Sequence, residues 1–265
     1  MKTNFYIPQH PFLKNFIRLI WQVNGHPHYS SETIIPKGIA EIIFSFSELP
    51  LIDAKIGDKE IRLEKYFING YNTKPIRMQI PRHHFFFGVR LHPHVIRQLF
   101  FVPAGELANE SIDLALVDKT ADGLWNRLKE APGFAHRVRI ITEWLKQKTF
   151  SHPGRELAII DFLNDEKNTV HTSSSLSKTL FYSPRQLSRK FLEFTGMNTE
   201  EFLQYKKFLR ALHLAHSSPL SLTQIAHECH FFDQSHFIRV FRSYSDITPG
   251  EYRQIKGFLP GHIYQ

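Results

Sequence analysis

The pattern of apolar residues changes character along the chain. Between residues 30 and 100, short runs rich in Ile and Phe alternate with segments that contain Gly, Pro and Asn, which is typical of β-strands joined by turns. Several short strands bounded by such turns predict a small barrel or sandwich. The predicted strands are Thr33–Ile35, Ala40–Phe46, Tyr66–Ile68, Ile76–Ile80 and Phe85–Leu91.

A helical pattern replaces the strand pattern after His92. Apolar residues then recur at intervals of three and four, as they do along one face of a helix. They form three groups: Val95, Leu99 and Phe100; Leu124, Trp125 and Leu128; and Val138, Ile141, Trp144 and Leu145. The stretch 149–155 contains adjacent Pro and Gly and predicts a domain boundary. We therefore expect one domain at 1–150 and a second at 151–265.

The second domain is predicted to be entirely helical, with the clearest helix start signals in the sequence. Residues 183–186, Ser-Pro-Arg-Gln, combine an N-cap serine, a proline at the first helical position and a glutamine three residues after the cap. Residues 248–251 repeat this arrangement, and residues 221–224 and 198–201 resemble it. The predicted helices, which fit a compact bundle, are 155–164, 173–180, 184–195, 199–216, 222–229, 234–244 and 249–256.

Two pairs of these helices share one layout. In each pair, a leading helix with an apolar face is followed by a short turn, at 181–183 or at 230–233, and by a second amphipathic helix. This is the helix-turn-helix arrangement, whose second helix enters the major groove of DNA with its amino-terminal end. The predicted buried residues of the second helices are Leu187, Phe191 and Phe194 in the first pair, and Phe237, Val240, Phe241 and Tyr244 in the second.

The remaining positions on these second helices face solvent and are candidates for DNA contact. Arg matches guanine O6 and N7, and Gln matches adenine N6 and N7. The candidate base-contact residues are Arg185, Ser188 and Arg189 in the first unit, and Gln234, Ser235 and Arg239 in the second. The candidate phosphate-contact residues, which position the protein without reading sequence, are Ser183, Lys190, His236, Arg242 and Arg253. For each residue the alternative is a solvated polar group on an ordinary bundle helix.

Composition changes this picture only slightly. The chain has 265 residues with 33 Lys and Arg against 25 Asp and Glu, and its formal charge of +8 favours a polyanionic partner. Residues 151–265 hold only 13 basic and 11 acidic side chains, so most of the excess positive charge lies outside the predicted DNA-binding domain.

The single cysteine, Cys229, excludes an intrachain disulfide and favours a reducing compartment. With no signal-peptide core and no membrane-spanning run, the sequence predicts a cytoplasmic protein.

The stretch from about 155 to 256 resembles the DNA-binding domain of the AraC/XylS family of bacterial transcriptional regulators. The matching segments are Ser183–Phe191, Gly196, Ile225-Ala226, Phe231–Arg242 and Thr248–Arg253. The resemblance implies that the helix near 199–216 joins the two units rigidly. It also implies that the two recognition helices enter successive major-groove faces on one side of the duplex, so that a monomer covers an asymmetric site.

Three residues depart from the family pattern. His230 and Asp246 stand where the family usually has Gly; both residue types tolerate a positive φ better than most, so we expect both turns to survive. Ser177 replaces a small Ala in the first unit, and we expect it to loosen the packing of that helix slightly.

The amino-terminal half resembles, less strongly, the cupin-like sensor region of some of these regulators. The matching segments are Ile35–Phe44 and Phe87–Pro93, with Lys37 at a position that is often acidic. The resemblance implies a small-molecule effector site in the barrel mouth, or a dimerisation domain. No residue in this half of the sequence indicates which ligand would bind.

A metal site is the main alternative for this half. His26, His28 and Glu32 have the HxH(x)3E spacing of metal-binding cupins, although no second motif completes it. With 16 histidines in the chain, such spacing arises by chance, so we predict no metal, cofactor or catalytic residue. Cys229 is interpreted as a buried apolar residue, and no nucleophile elbow or phosphate-binding loop is present.

The predicted fold is α+β: a cupin-like β-barrel or sandwich with following helices, then an all-α bundle of about seven helices with two helix-turn-helix units. The predicted function is a sequence-specific DNA-binding transcription regulator. Its expected partners are double-stranded DNA and RNA polymerase, with a small-molecule effector and a homodimer as further possibilities and no membrane. The alternative is a cupin-type metalloenzyme fused to a DNA-binding domain.

Overall fold

The computed structural model describes residues 1–48, 51–92, 94–148, 154–165 and 172–265. Most of the predicted domain boundary, residues 149–153, lies outside the described residues. The described chain holds two antiparallel β-sheets and a set of α-helices, which confirms the predicted α+β fold class. The predicted division at residue 150 stays a prediction.

The strands form a six-stranded sheet, in the order β1-β2-β9-β4-β7-β10, and a five-stranded sheet, in the order β11-β3-β8-β5-β6. Their bounds are β1 Lys2–Tyr6, β2 Ile17–Gly25, β3 Ser31–Ile34, β4 Ala40–Ser45, β5 Ile52–Ile56, β6 Lys59–Leu63, β7 Tyr66–Asn69, β8 Ile76–Gln79, β9 His84–Leu91, β10 Ser111–Asp113 and β11 His262–Tyr264. The five predicted strands correspond to β3, β4, β7, β8 and β9 and are confirmed.

The two sheets pack face to face around an apolar core. Side chains from both sheets meet there, among them Ile43 and Phe67 from one sheet and Ile52 and Met78 from the other. Strand β4 is buried along its whole length, because one face meets the second sheet and the other meets helices. Its unbroken apolar run is the expected pattern for a strand covered on both faces.

Helices cover the outer face of the six-stranded sheet. Their bounds are α1 Pro11–Lys14, α2 Val95–Phe100, α3 Ala121–Glu130 and α4 Phe134–Lys146. Leu124, Leu128 and Ile141 are fully buried or nearly so and pack in one cluster with Ile42 and Phe44 of β4. The three groups of apolar residues predicted to be helical in this part of the chain therefore fall on α2, α3 and α4.

The described part of the chain after residue 154 holds seven α-helices, as predicted. They are α5 Leu157–Asn164, α6 Ser173–Thr179, α7 Pro184–Thr195, α8 Thr199–Ser217, α9 Leu222–Glu228, α10 Gln234–Ser245 and α11 Pro249–Ile255. The side chains of Ser183, Asn198, Ser221 and Thr248 cap their helices, and each forms a reciprocal capping box with the residue three positions later. All four predicted start signals are confirmed.

Six of the eleven strands that the structure describes were not predicted: β1, β2, β5, β6, β10 and β11. Strand β11 follows the last helix and pairs antiparallel with β3, so residues late in the chain complete the five-stranded sheet. Backbone hydrogen bonds from Ile35 to Gly261 and between Ser31 and Gln265 extend this pairing at both ends.

Candidate DNA interface

The first helix-turn-helix unit consists of α6 and α7. The turn between them places Phe181 at φ 56°, and the amide of Tyr182 donates to the carbonyl oxygen of Ser177. The hydroxyl of Ser177 donates back to the carbonyl oxygen of Tyr182 at 2.5 Å, and its side chain is buried. Ser177 therefore fastens the turn to the leading helix, which corrects the expectation that it loosens the packing.

The second unit, α9 and α10, repeats this geometry. His230 has φ 57°, and the amide of Phe231 donates to the carbonyl oxygen of Ala226, as Tyr182 does to Ser177. His230 thus occupies the left-handed conformation that was expected for it. Asp233 caps α10 by accepting a hydrogen bond from the amide of His236 at 2.6 Å.

The two recognition helices, α7 and α10, also end alike. Gly196 closes α7 at φ 76° and Asp246 closes α10 at φ 64°, each with its amide bonded to the carbonyl four residues earlier. The expectation that Asp246 tolerates the left-handed conformation is confirmed. Phe191 and Phe237, one on each helix, are fully buried, so both helices are held by the bundle core.

The six predicted base-contact residues lie in the amino-terminal halves of α7 and α10. Arg185, Arg189, Ser235 and Arg239 are exposed, while Ser188 and Gln234 are half-buried. The side-chain oxygen of Gln234 accepts a hydrogen bond from the hydroxyl of Thr223 on α9 at 2.6 Å. An adenine would have to compete with Thr223 for this oxygen, a contact that the sequence did not reveal.

The predicted phosphate-contact residues differ in whether their side chains already make contacts within the protein. Arg242 is exposed near the end of α10. The hydroxyl of Ser183 and the ring of His236 also take part in turn and cap hydrogen bonds.

Lys190 forms ion pairs with Glu156 and Glu193, and its side chain is only 20% exposed. Arg253 donates to the carbonyl oxygens of Ala215 and Leu220. The arrangement therefore commits Lys190 and Arg253 to contacts within the bundle.

Two exposed aromatic residues flank the recognition helices and were not singled out from the sequence. Phe181 is 95% exposed and Phe232 is 92% exposed, each within two residues of the cap of α7 or α10. The sequence did contain a signal, because each turn has two neighbouring aromatic residues. Tyr182 and Phe231 are the ones that pack against the core, which leaves Phe181 and Phe232 for the surface.

Helix α8 connects the two units and is anchored on both sides. Phe202 packs edge-on against Phe191 of α7, and Phe208 packs likewise against Phe241 of α10. With 19 residues, α8 spans about 28 Å at 1.5 Å per residue. A continuous helix that packs against α7 and against α10 therefore connects the two units, and the rigidity that the resemblance implied stays a prediction.

A mostly apolar cavity of about 140 Å³ lies between the two sheets and holds a buried charge cluster. The carboxylate of Glu41 accepts hydrogen bonds from Arg90 Nε at 2.7 Å and from the Trp21 indole at 3.0 Å. Burial alone would raise the pKa of Glu41, but the charges of Arg90 and Lys37 hold it below its usual value. Burial lowers the pKa of Lys37.

Strand β11 contributes a second polar group to this cavity. His262 Nδ1 lies 2.5 Å from Glu32 Oε1, and its Nε2 lies 3.1 Å from Lys37 Nζ. Burial and the neighbouring charge of Lys37 lower the pKa of His262. Glu32 is thus engaged by His262, and among the described residues no group of three or more His, Cys, Asp or Glu side chains is arranged to hold a metal ion. The spacing of His26, His28 and Glu32 is therefore not matched by a ligand cluster.

Cys229 is fully buried, and burial raises the pKa of its thiol to about 12. A thiol in this state is a poor nucleophile, which agrees with its interpretation as a buried apolar residue.

Within the described residues, no helix combines the length and the apolar character needed to cross a membrane.

Comparison with models of protein families finds a match for each of two regions of the chain. Residues 176–255 match the model of a helix-turn-helix domain, and residues 5–113 match a domain of unknown function, DUF6597. The region that carries both units is therefore a DNA-binding helix-turn-helix domain. Together with the motifs in α7 and α10, the match makes it an AraC-type domain.

Two curated relatives and one solved structure extend the comparison. The chain is 29% identical over 97 residues to the uncharacterised HTH-type transcriptional regulator YijO of Escherichia coli K12, and 30% identical over 126 residues to the HTH-type transcriptional activator RhaS of Escherichia coli. These matches cover 37% and 47% of this chain but only 34% and 39% of the relatives. ToxT of Vibrio cholerae aligns over 97% of this chain and 98% of its own, with 12% identity and a TM-score of 0.47.

Proposed function

We propose that this protein is a sequence-specific DNA-binding transcription regulator of the AraC/XylS type. The observation that carries the proposal is the repeated geometry of the two units, each presenting the exposed amino-terminal end of a recognition helix, joined by the continuous helix α8. Two such helices suit successive major-groove faces, which recur about 34 Å apart along the duplex.

Base readout in this proposal rests on the exposed arginines. Arg185 and Arg189 in the first unit and Arg239 in the second are free to present paired donors to guanine. Ser188, Ser235 and Gln234 are secondary contacts, with Gln234 held in place by Thr223. Arg242, Ser183 and His236 are assigned to phosphates, whereas Lys190 and Arg253 serve the bundle in this conformation.

The amino-terminal half is proposed to regulate the reader. The cavity between the sheets supports an effector site of the cupin-like type, because it combines an apolar wall with the buried charges of Lys37, Arg90 and Glu41. Asn72 and His84 line the same cavity, and each has a buried polar side-chain atom with no hydrogen-bond partner among the described residues. A dimerisation role for this half, recruitment of RNA polymerase and the division near residue 150 are further parts of the proposal.

No catalytic step is part of the proposal. The metalloenzyme alternative needs His26, His28 and Glu32 to converge on one ion, and no such group is found among the described residues. The contact of Glu32 with His262 gives that carboxylate a different partner.

Selection of bound fragments from a random DNA pool, at a stated salt concentration, tests the proposal. The expected product is a site with two conserved blocks about one helical turn apart. Salt-sensitive binding with no enriched sequence would contradict sequence-specific recognition.

The selected site then tests the assignment of individual residues. We expect Arg189→Ala and Arg239→Ala each to cost about 1–3 kcal/mol at one base position and to relax specificity there. Arg242→Ala is the matched control, because loss of a phosphate contact weakens binding equally on all sequences and lowers the salt dependence. If Arg189→Ala and Arg239→Ala behave as Arg242→Ala does, they contact phosphate and the base assignment is wrong.

A further inference from the structure

The part of the chain before residue 149, here called the sheet domain, contacts both recognition helices at corresponding positions. Next to the carboxy-terminal end of α7, Gly105 lies against Gly196, so closely that a Cβ on Gly196 would lie 3.0 Å from the Cα of Gly105. Arg97 of α2 forms an ion pair with Glu193 in the last turn of α7. The end of the first recognition helix is thus held by residues from the sheet domain.

The end of the second recognition helix is held in the same way. Arg77 Nη2 on β8 lies 2.6 Å from Asp246 Oδ2, at the position that corresponds to Gly196 in the first unit. Lys74 Nζ donates to the carbonyl oxygen of Ser243 at 3.2 Å. An aspartate at this left-handed position keeps the helix end and adds an ion pair that the usual glycine could not make.

Asn109 joins the two contact segments. Its side-chain oxygen accepts hydrogen bonds from the amides of Thr73 at 2.8 Å and of Lys74 at 3.0 Å, and its side-chain nitrogen donates to the Thr73 hydroxyl at 3.0 Å. Asn109 itself sits at φ 56°, a conformation that Asn tolerates well. Residues 104–109 and 72–77 therefore form one connected structure, here called the clamp.

Helix α8 is tied to the same structure. The hydroxyl of Tyr205 donates to the carbonyl oxygen of Asn72 at 2.8 Å, and Tyr205 is fully buried. The clamp consequently contacts α7, α8 and α10, which are the three elements that set where the two recognition helices lie.

We propose that the clamp fixes the relative placement of the two recognition helices and so determines which separation of half-sites the protein accepts. The inference rests on the proposed function. Adjacent base pairs are about 3.4 Å apart along the duplex, so a small shift of one helix end is enough to change the preferred separation by one base pair. Asn72 and Lys74 also line the cavity between the sheets, which places the clamp where an effector would touch it.

Binding to a spacing series tests the inference. The probe is the selected duplex with its two blocks moved closer or further apart by one and two base pairs, and the readout is the ratio of affinities between the best and the altered separation. We expect wild-type protein to lose at least about tenfold per base pair, a difference of about 1.4 kcal/mol.

Asp246→Gly and Arg77→Ala are the informative variants. Glycine accepts the left-handed conformation without strain, so Asp246→Gly removes the ion pair and leaves the helix end intact. We expect each variant to reduce the spacing penalty at least threefold while binding to each isolated block is unchanged. Because both remove the same contact, the double variant is expected to match either single variant. Arg62→Ala, which removes an exposed ion pair with Asp53 within the β5–β6 hairpin, is the control and is expected to keep the wild-type penalty.

The outcomes separate the inference from the function on which it rests. If wild-type protein shows a spacing preference and both variants keep it, the clamp does not set the separation and the inference is wrong. If wild-type protein selects no two-block site, the proposed function itself fails. Should Asp246→Gly not fold, as judged by its melting temperature, Arg77→Ala gives the same test from the other partner.

Discussion

The hydroxyl of Tyr205 offers a direct test of how the linker helix α8 is joined to the sheet domain. It accepts a hydrogen bond from the amide of Gly38 at 2.9 Å and donates one to the carbonyl oxygen of Asn72 at 2.8 Å. Burial raises the pKa of Tyr205 well above its usual value, so the hydroxyl stays protonated and able to donate at any ordinary pH. Tyr205→Phe removes both bonds and little else.

The expected cost follows from these two bonds. Each buried hydrogen bond contributes about 0.5–1.5 kcal/mol net, and an amide left without its acceptor in the interior costs about 1–3 kcal/mol. Gly38 is buried, so its amide would be left in that state. We expect Tyr205→Phe to lower the free energy of unfolding by about 2–3 kcal/mol, and the melting temperature by roughly 4–8 °C for a chain of this size.

Urea unfolding of the full chain measures this loss, with Tyr244→Phe as the matched control. The Tyr244 ring lies 5.2 Å from that of Tyr205, but its hydroxyl makes no hydrogen bond to any residue that the structure describes. We expect Tyr244→Phe to change stability by less than about 0.5 kcal/mol, as substitutions that leave buried hydrogen bonds intact usually do. A Tyr205→Phe variant as stable as Tyr244→Phe would refute the reasoning.

Three further predictions concern stability. Phe237→Ala empties a fully buried site and is expected to cost about 3–5 kcal/mol, whereas Phe232→Ala, on a 92% exposed side chain, should cost almost nothing in urea unfolding. Asp233→Ala removes the cap of α10 and should lower the free energy of unfolding by about 1 kcal/mol in the same assay, and a variant as stable as wild type would contradict a stabilising cap. Burial lowers the pKa of His84 to about 4, so the unfolded chain binds its proton first and stability should fall as pH drops from about 6.5 towards 4. His84→Phe should flatten that decline by up to about 3 kcal/mol at pH 4, and an unchanged pH profile would contradict the assignment.

Local signals in the sequence were sufficient for the helical half. Its capping boxes and apolar stripes are short-range features, and they set the helix bounds to within a few residues of those observed. The backbone conformation at two turns of the helix-turn-helix domain was also predicted correctly, since His230 and Asp246 adopt the left-handed conformation expected at those positions. The roles assigned to individual side chains at the DNA face remain predictions.

Strands were harder to predict where a polar side chain lies on a buried face or where strands are short. In β2, Gln22 is buried and accepts a hydrogen bond from Arg137, which interrupts the apolar alternation. In β5 the signal was present and was missed, because Ile52, Ala54 and Ile56 alternate with exposed residues in a clear period of two.

Contacts between distant parts of the chain left no local signal at all. Lys190 and Arg253 look like free cations in sequence, yet their partners include Glu156 and the carbonyl oxygen of Leu220, each more than 30 positions away. The bond between Thr223 and Gln234 is likewise set by how α9 and α10 pack. Such pairings depend on the tertiary fold, and only the structure could show them.

The pairing of β3 with β11 also bears on how the protein is made. Glu32 and His262 are 230 positions apart, so a ribosome adding 5–20 residues per second needs roughly 10–50 seconds between them. During that time β3 has an open edge, and open edges pair readily with other chains. A fragment cut near residue 150 would keep that edge permanently. The amino-terminal half is therefore expected to aggregate when expressed alone, and joining residues 257–265 to it by a short linker should restore its solubility.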